Sequence, residues 1–147
     1  MSPVIPPPIH DQASRLLLQR NATATPARVR VLQLLLAADA TMSHQALQQA
    51  ATASGQTFDK VTLYRVLDWL VAQELVHSVT GQDRVRRFSL VRAHHGHAHF
   101  ECSGCGRLFC LHSALATVIP DVPSGFIPVT LDITVLGRCA DCAPPVT

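Results

Sequence analysis

From Gln12 the apolar positions recur at helical spacing, and the pattern holds as far as Glu74. Ala13, Leu16 and Leu17 mark one face of a helix over residues 12–19. Thr25 followed by Pro26 is a start signal, a hydroxyl able to cap free amides and then a residue that needs no N–H partner. Val29, Leu32, Leu35 and Leu36 give that helix its buried stripe. Ser43 can cap the next, with Ala46, Leu47 and Ala50 inward and a break at Ser54-Gly55. Another begins near Asp59 and turns Leu63, Val66, Leu67 and Leu70 inward. Beyond Glu74 the period drops to about two. Residues 76–79, a turn over 80–83 and residues 85–90 therefore predict a β-hairpin.

Three helices from Pro26 onward and then a hairpin are the layout of a winged helix-turn-helix, whose third helix enters the major groove of DNA. An ordinary small α+β domain fits the same pattern. Residues 91–93 read as a hinge. After it come strand-like runs at 98–101 and 107–111, a short helix over 112–118 ended by Pro120 and Pro123, and a strand over 130–136. That last strand alternates Leu131, Ile133 and Val135 on one side. The expected organisation is a proline-rich flexible tail (1–12), a DNA-binding domain (13–92) and a smaller metal-binding α/β domain (93–147).

Composition narrows the class. The 147 residues are 48% hydrophobic and 15% charged, which supports a core and excludes disorder along the whole length. The longest aliphatic stretch, residues 29–38, is interrupted by Arg30 and Gln33 and is shorter than the ~20 residues that span a bilayer. The N-terminus has no positive charge before Arg15 and no apolar segment, so no secretion signal is expected and the protein reads as cytoplasmic. The net charge of +2 is uneven. Residues 1–92 carry ten Lys/Arg against six Asp/Glu, and residues 93–147 two against four, which suggests a nucleic-acid face in the first part.

Five cysteines in a cytoplasmic chain point to metal or redox chemistry. Cys102-Ser103-Gly104-Cys105 and Cys139-Ala140-Asp141-Cys142 are two C-x-x-C pairs. A two-residue spacer turns both sulfurs to one side of a tight turn, and four thiolates complete a closed tetrahedral zinc shell. A small C-terminal unit gains much from such a staple. A redox pair lacks the βαβ context it needs here, and four free thiols are the other alternative.

The run from Arg92 to His99 holds four histidines, His94, His95, His97 and His99. On a strand His97 and His99 share a face, and Cys110 on the neighbouring strand can face the same way. With His77 from the first hairpin, such a site would bridge two domains, as a sensor requires. Imidazole with one thiolate suits Zn²⁺. A catalytic zinc would need an open position and a base, and only Glu101 lies near the cluster, turned away by strand alternation only if the register is regular.

Four stretches in this order resemble the ferric uptake regulator (Fur) family, over roughly residues 13–142. They are Thr25-Pro26-Ala27-Arg28, Val61-Thr62-Leu63-Tyr64-Arg65-Val66-Leu67, the run from His97 to Gly106, and Gly137 to Cys142. The resemblance implies a dimeric, metal-sensing winged-helix repressor with a C-terminal dimerisation domain. It implies DNA contacts at Tyr64 and Arg65, a structural zinc on Cys102, Cys105, Cys139 and Cys142, and a regulatory site on His97 and His99. Cys110 stands where the family usually places a carboxylate ligand, and Ser89 where it often carries Glu or Cys. His77 and His95 match histidines that some zinc sensors recruit. Thiolate in place of carboxylate makes the chain most like the zinc uptake regulator branch. Lys60, Thr62, Arg28, Arg84 and Arg86 join Tyr64 and Arg65 as expected DNA contacts, with Arg87 beside them on the wing. The partners expected are an operator in double-stranded DNA and a second copy of the chain, with no membrane and no small-molecule substrate. An iron or peroxide sensor of the same family, and a structural-zinc DNA-binding module without a sensing role, are the alternatives.

Overall fold

The structure, a computed structural model, describes residues 8–91, 98–111, 120–129 and 131–144. The chain divides into two compact units, Met1–Val91 and Arg92–Thr147.

In the first unit α1 (Ile9–Gln19) begins three residues before the expected start, inside the stretch read as tail, and buries Ala13 and Leu17. The next helix, α2 (Pro26–Ala37), is capped by the Thr25 hydroxyl, which accepts the Arg28 amide at 3.4 Å. Val31 is fully buried there beside Val29, Leu32 and Leu35, while Leu36 is only half-buried. The buried surface exceeds one stripe because α2 is central, packed by the other helices and by the sheet. A two-residue strand, β1 (Met42–Ser43), leads into α3 (His44–Ala53), where Ser43 accepts the Ala46 amide at 3.0 Å. Its buried positions are Leu47 and Ala51, one turn apart, and Ala46 and Ala50 are half-buried. Asp59 caps α4 (Lys60–Ala72), which buries Leu63, Leu67 and Leu70.

Strands β2 (Val76–Thr80) and β3 (Arg86–Leu90) form an antiparallel hairpin with Val76 opposite Leu90 and Thr80 opposite Arg86. β1 adds to the far side of β3 and completes a sheet of order β1-β3-β2, with Phe88 fully buried beneath it. A helix-turn-helix made of α3 and α4, followed by this hairpin as wing, is a winged helix.

The second unit is built on β4 (Ala98–Cys102), which pairs antiparallel with β5 (Leu108–Cys110) and parallel with β6 (Ile133–Gly137). The expected helix over 112–118 lies outside the described residues. In β6 Leu131 and Ile133, at and before its start, are half-buried, but Val135 is 44% exposed, so the alternation does not bury all three. The whole is an α+β fold: a winged helix, then a small unit around a mixed sheet.

Candidate metal centres and nucleic-acid face

Sheet register assembles the cysteines. The parallel pairing sets Cys102 opposite Gly137, so the chain leaving β6 delivers Cys139 to the turn that follows β4. That turn is closed by the Cys102 amide donating to Arg107 O at 2.9 Å and the Gly106 amide to Cys102 O at 2.8 Å. Gly106 takes φ 75, a left-handed conformation that costs glycine nothing. Gly104 is needed for a different reason: a Cβ there would lie 3.0 Å from Cys142 Cβ and 3.1 Å from its sulfur. The sulfurs of Cys102, Cys105, Cys139 and Cys142 all lie within 4.8 Å of one another.

Cys105 and Cys139 Sγ are 3.8 Å apart. Sulfurs bound at about 2.3 Å around a tetrahedral ion are separated by about 3.8 Å, so the spacing fits zinc. The electrostatics fit as well. The Cys139 amide donates to Cys102 Sγ at 3.3 Å and, with the amides of Cys105 and Gly104, holds that thiol down at about 6. The Arg107 side chain lowers Cys105. Cys142, facing the sulfurs of Cys139, Cys102 and Cys105, is pushed up to about 12. A cation among the four sulfurs removes that mutual opposition and deprotonates the ligands outright.

A second group of soft donors sits on the same sheet. His99 on β4 pairs directly with Cys110 on β5, and their ligand atoms lie within 4.8 Å. His99 is buried and Cys110 half-buried. His77 is half-buried on β2, opposite Ser89. His95 and His97 lie outside the described residues. Glu101 corrects the expectation: the ladder through His99, Phe100 and Glu101 is regular, so alternation places Glu101 on the His99 face, where it is buried.

On α4, Lys60, Thr62, Tyr64 and Arg65 are all exposed, while Leu63 and Leu67 anchor the opposite face. The Thr62 amide and hydroxyl both turn to Asp59 Oδ2, at 3.3 and 3.4 Å. The His44 ring stacks on Tyr64, and a groove of about 460 Å³ runs beside the pair, lined by Gln45, Gln48, Lys60 and Arg86. On the wing Arg84 is exposed at the turn with φ 63. Arg86 reaches Asp68 on α4 at 3.0 Å, and Arg87 grips Asp83 at 2.9 and 2.6 Å. Arg28 is engaged elsewhere. Its guanidinium lies 3.6 Å from the centroid of the Trp69 ring and donates to Thr23 O at 3.1 Å.

A model of the ferric uptake regulator family matches residues 19–126. The chain belongs to that family. It is 33% identical to the zinc uptake regulation protein of Escherichia coli (strain K12) over 101 residues, 65% of this chain and 56% of that protein. The match thus spans little more than half the length of that relative. A solved structure of a zinc uptake regulator complexed with zinc and DNA is 28% identical, with a TM-score of 0.60, and covers 90% of this chain and 91% of that one. The ferric uptake regulator from Pseudomonas aeruginosa with manganese is 22% identical, with a TM-score of 0.63 over 87% of this chain and 98% of that one. At that identity the likeness is one of fold. Among the described residues, no helix is long and apolar enough to cross a membrane.

Three features of these sites escape sequence reasoning. The His44–Tyr64 and Arg28–Trp69 stacks join residues on different helices, and Arg107 reaches into the four-cysteine cluster. Only Arg107 carried a signal, its place two residues after Cys105.

Proposed function

We propose that this family member is a zinc-responsive repressor of metal-uptake genes, acting in the cytoplasm as a homodimer on an operator in double-stranded DNA. It is a binding protein and not an enzyme. The observation that carries the reading is the pairing of His99 with Cys110, a soft donor pair separate from the four-cysteine cluster. A closed four-thiolate site is structural. A sensor needs another, more exchangeable one. An imidazole and a thiolate favour zinc over the harder ions that carboxylate sites suit. On the sequence pattern His77, His95 and His97 are the candidates for the remaining ligands, and Cys102, Cys105, Cys139 and Cys142 hold the structural ion.

Zinc at the regulatory site would raise the fraction of chains competent for DNA, and apparent affinity rises with that fraction. Tyr64 and Arg65 would read base edges from α4, with Lys60, Thr62, Arg84 and Arg86 on the backbone. Similarity to a zinc uptake regulator complexed with zinc and DNA supports both halves of the proposal.

The test is zinc per chain by elemental analysis, before and after dialysis against a chelator of moderate affinity, for the wild type and Cys110→Ser. Two ions falling to one, with the variant starting near one and failing to bind DNA, are expected. A single non-exchangeable zinc in both proteins would favour the structural module. Preferential reloading with iron would favour the iron sensor.

A further inference from the structure

One guanidinium touches both halves of the four-cysteine cluster. Arg107 Nε donates to Cys105 Sγ at 3.2 Å, and Nη2 donates to Cys139 Sγ at 3.3 Å. These sulfurs come from different C-x-x-C pairs, 34 residues apart. Nη2 also meets Asp141 Oδ2 at 2.6 Å, and the guanidinium lies 5.4 Å from the centroid of the Phe109 ring. The backbone of Arg107 is fixed as well, because its carbonyl accepts the Cys102 amide. The side chain therefore leaves a pinned turn and is oriented by four partners.

Four thiolates around a divalent ion leave two negative charges in excess. Hydrogen-bond donors to ligand sulfurs disperse such charge, and charge-assisted donors do so most strongly. Cys102 receives the backbone amide of Cys139. Cys105 and Cys139 receive Arg107. We propose that Arg107 governs how firmly the four-cysteine centre holds its ion: donating to one sulfur of each pair, it disperses the thiolate charge and slows metal release. The inference rests on zinc occupying that cluster, as proposed above. Arg107 binds no metal itself; it is a positioning residue acting through the sulfurs.

A purely mechanical role makes a different prediction. If Arg107 served only to clamp the second cysteine pair through Asp141, removing either partner would have the same effect. That ion pair is exposed on both sides (43% and 77%), and exposed pairs contribute little.

The experiment follows zinc release from the full zinc-loaded chain to the chromogenic chelator 4-(2-pyridylazo)resorcinol. Arg107→Met should release zinc about 10- to 100-fold faster, the usual cost of losing a partner of a metal ligand. Asp141→Asn should release it no faster than wild type, since both N–H···S bonds remain. Equal acceleration in the two variants, or none in Arg107→Met, overturns the proposal. Arg107→Lys provides a second measurement in a variant that keeps the charge but loses the planar fork. In its cobalt-loaded form the sulfur-to-cobalt charge-transfer band should move, and an unmoved band also counts against the proposal. A wild-type chain that retains no zinc overturns the four-cysteine reading itself, and the role of Arg107 with it.

Discussion

His44 lies flat against Tyr64, with ring centroids 3.8 Å apart and planes 17° from parallel. His44 opens α3, and Tyr64 stands on the exposed face of α4, so the stack ties the two helices of the helix-turn-helix at their outer surface. A ring held in place before DNA arrives loses less freedom on binding. Stacked pairs contribute about 0.5–1.5 kcal/mol, so His44→Ala should weaken operator binding about two- to tenfold. His44→Phe should restore it. Fluorescence anisotropy with zinc present, alongside thermal unfolding as a control, makes the comparison. Unchanged affinity in His44→Ala would remove the stack from the DNA-binding surface.

At the four-cysteine cluster the tightest steric demand falls on Gly104. An added Cβ there meets Cys142 Cβ at 3.0 Å and its sulfur at 3.1 Å, atoms that an ion held by the four sulfurs would fix. Gly104→Ala should therefore move Cys142 away from the other sulfurs and lower retained zinc below that of wild type after chelator dialysis. Gly55→Ala is the control for a loop glycine, because nothing lies within 4 Å of a Cβ there, although φ 79 makes it a strained one. That variant should lose stability without losing zinc.

What could be read from the chain beforehand was local. Thr25 and Ser43 announced two helix starts because a cap acts within three residues of itself, and the cap at Asp59 stood unread at a start placed by periodicity. The C-x-x-C pairs were legible for the same reason. β1 was not, since its two residues are a strand only through pairing Met42 with Phe88. The pattern over 130–136 predicted a strand but not its neighbour, and it is the parallel pairing with β4 that brings Cys139 beside Cys102. Glu101 stands two residues after His99 on a regular strand, so the same alternation that sets His99 inward sets Glu101 beside it. Arg107 stood in plain view, yet one of its sulfur partners lies 32 residues further on.

One carboxyl on the wing should resist acid. Arg87 grips the Asp83 carboxylate, the Val85 amide adds a second donor at 3.0 Å, and together they hold its pKa at about 2 against an ordinary 3.8. A carboxyl whose folded pKa is depressed stabilises the fold above its unfolded pKa, and that contribution fades as pH falls toward the folded value. The stability difference between wild type and Asp83→Asn should thus be complete above about pH 4 and shrink toward zero near pH 2. Both ends of the pair are in contact with water, so the difference is small throughout. Carboxyl chemical shifts give the direct check: Asp83 should titrate well below the ordinary 3.8, and Arg87→Gln should raise it toward that value.

Arg86 is a wing cation already engaged, its guanidinium 3.0 Å from Asp68 on the exposed face of α4. An ion pair this open to water contributes at most about 1 kcal/mol to stability, so Asp68→Asn should unfold almost where wild type does. On DNA the change should be larger, since the variant frees Arg86 for a phosphate. Each phosphate neutralised steepens the fall of log K with log salt by about 0.9, so Asp68→Asn should bind operator more tightly at low salt, with a slope steeper by about one. Removing a carboxylate also removes plain repulsion between Asp68 and the DNA backbone, which raises affinity without calling on Arg86. The double variant separates the two. If Asp68 acts by occupying Arg86, then Asp68→Asn combined with Arg86→Gln should bind as Arg86→Gln alone does. If it acts by repulsion, the double variant should keep the gain over Arg86→Gln, and the Asp68 pair does not hold Arg86 back from DNA.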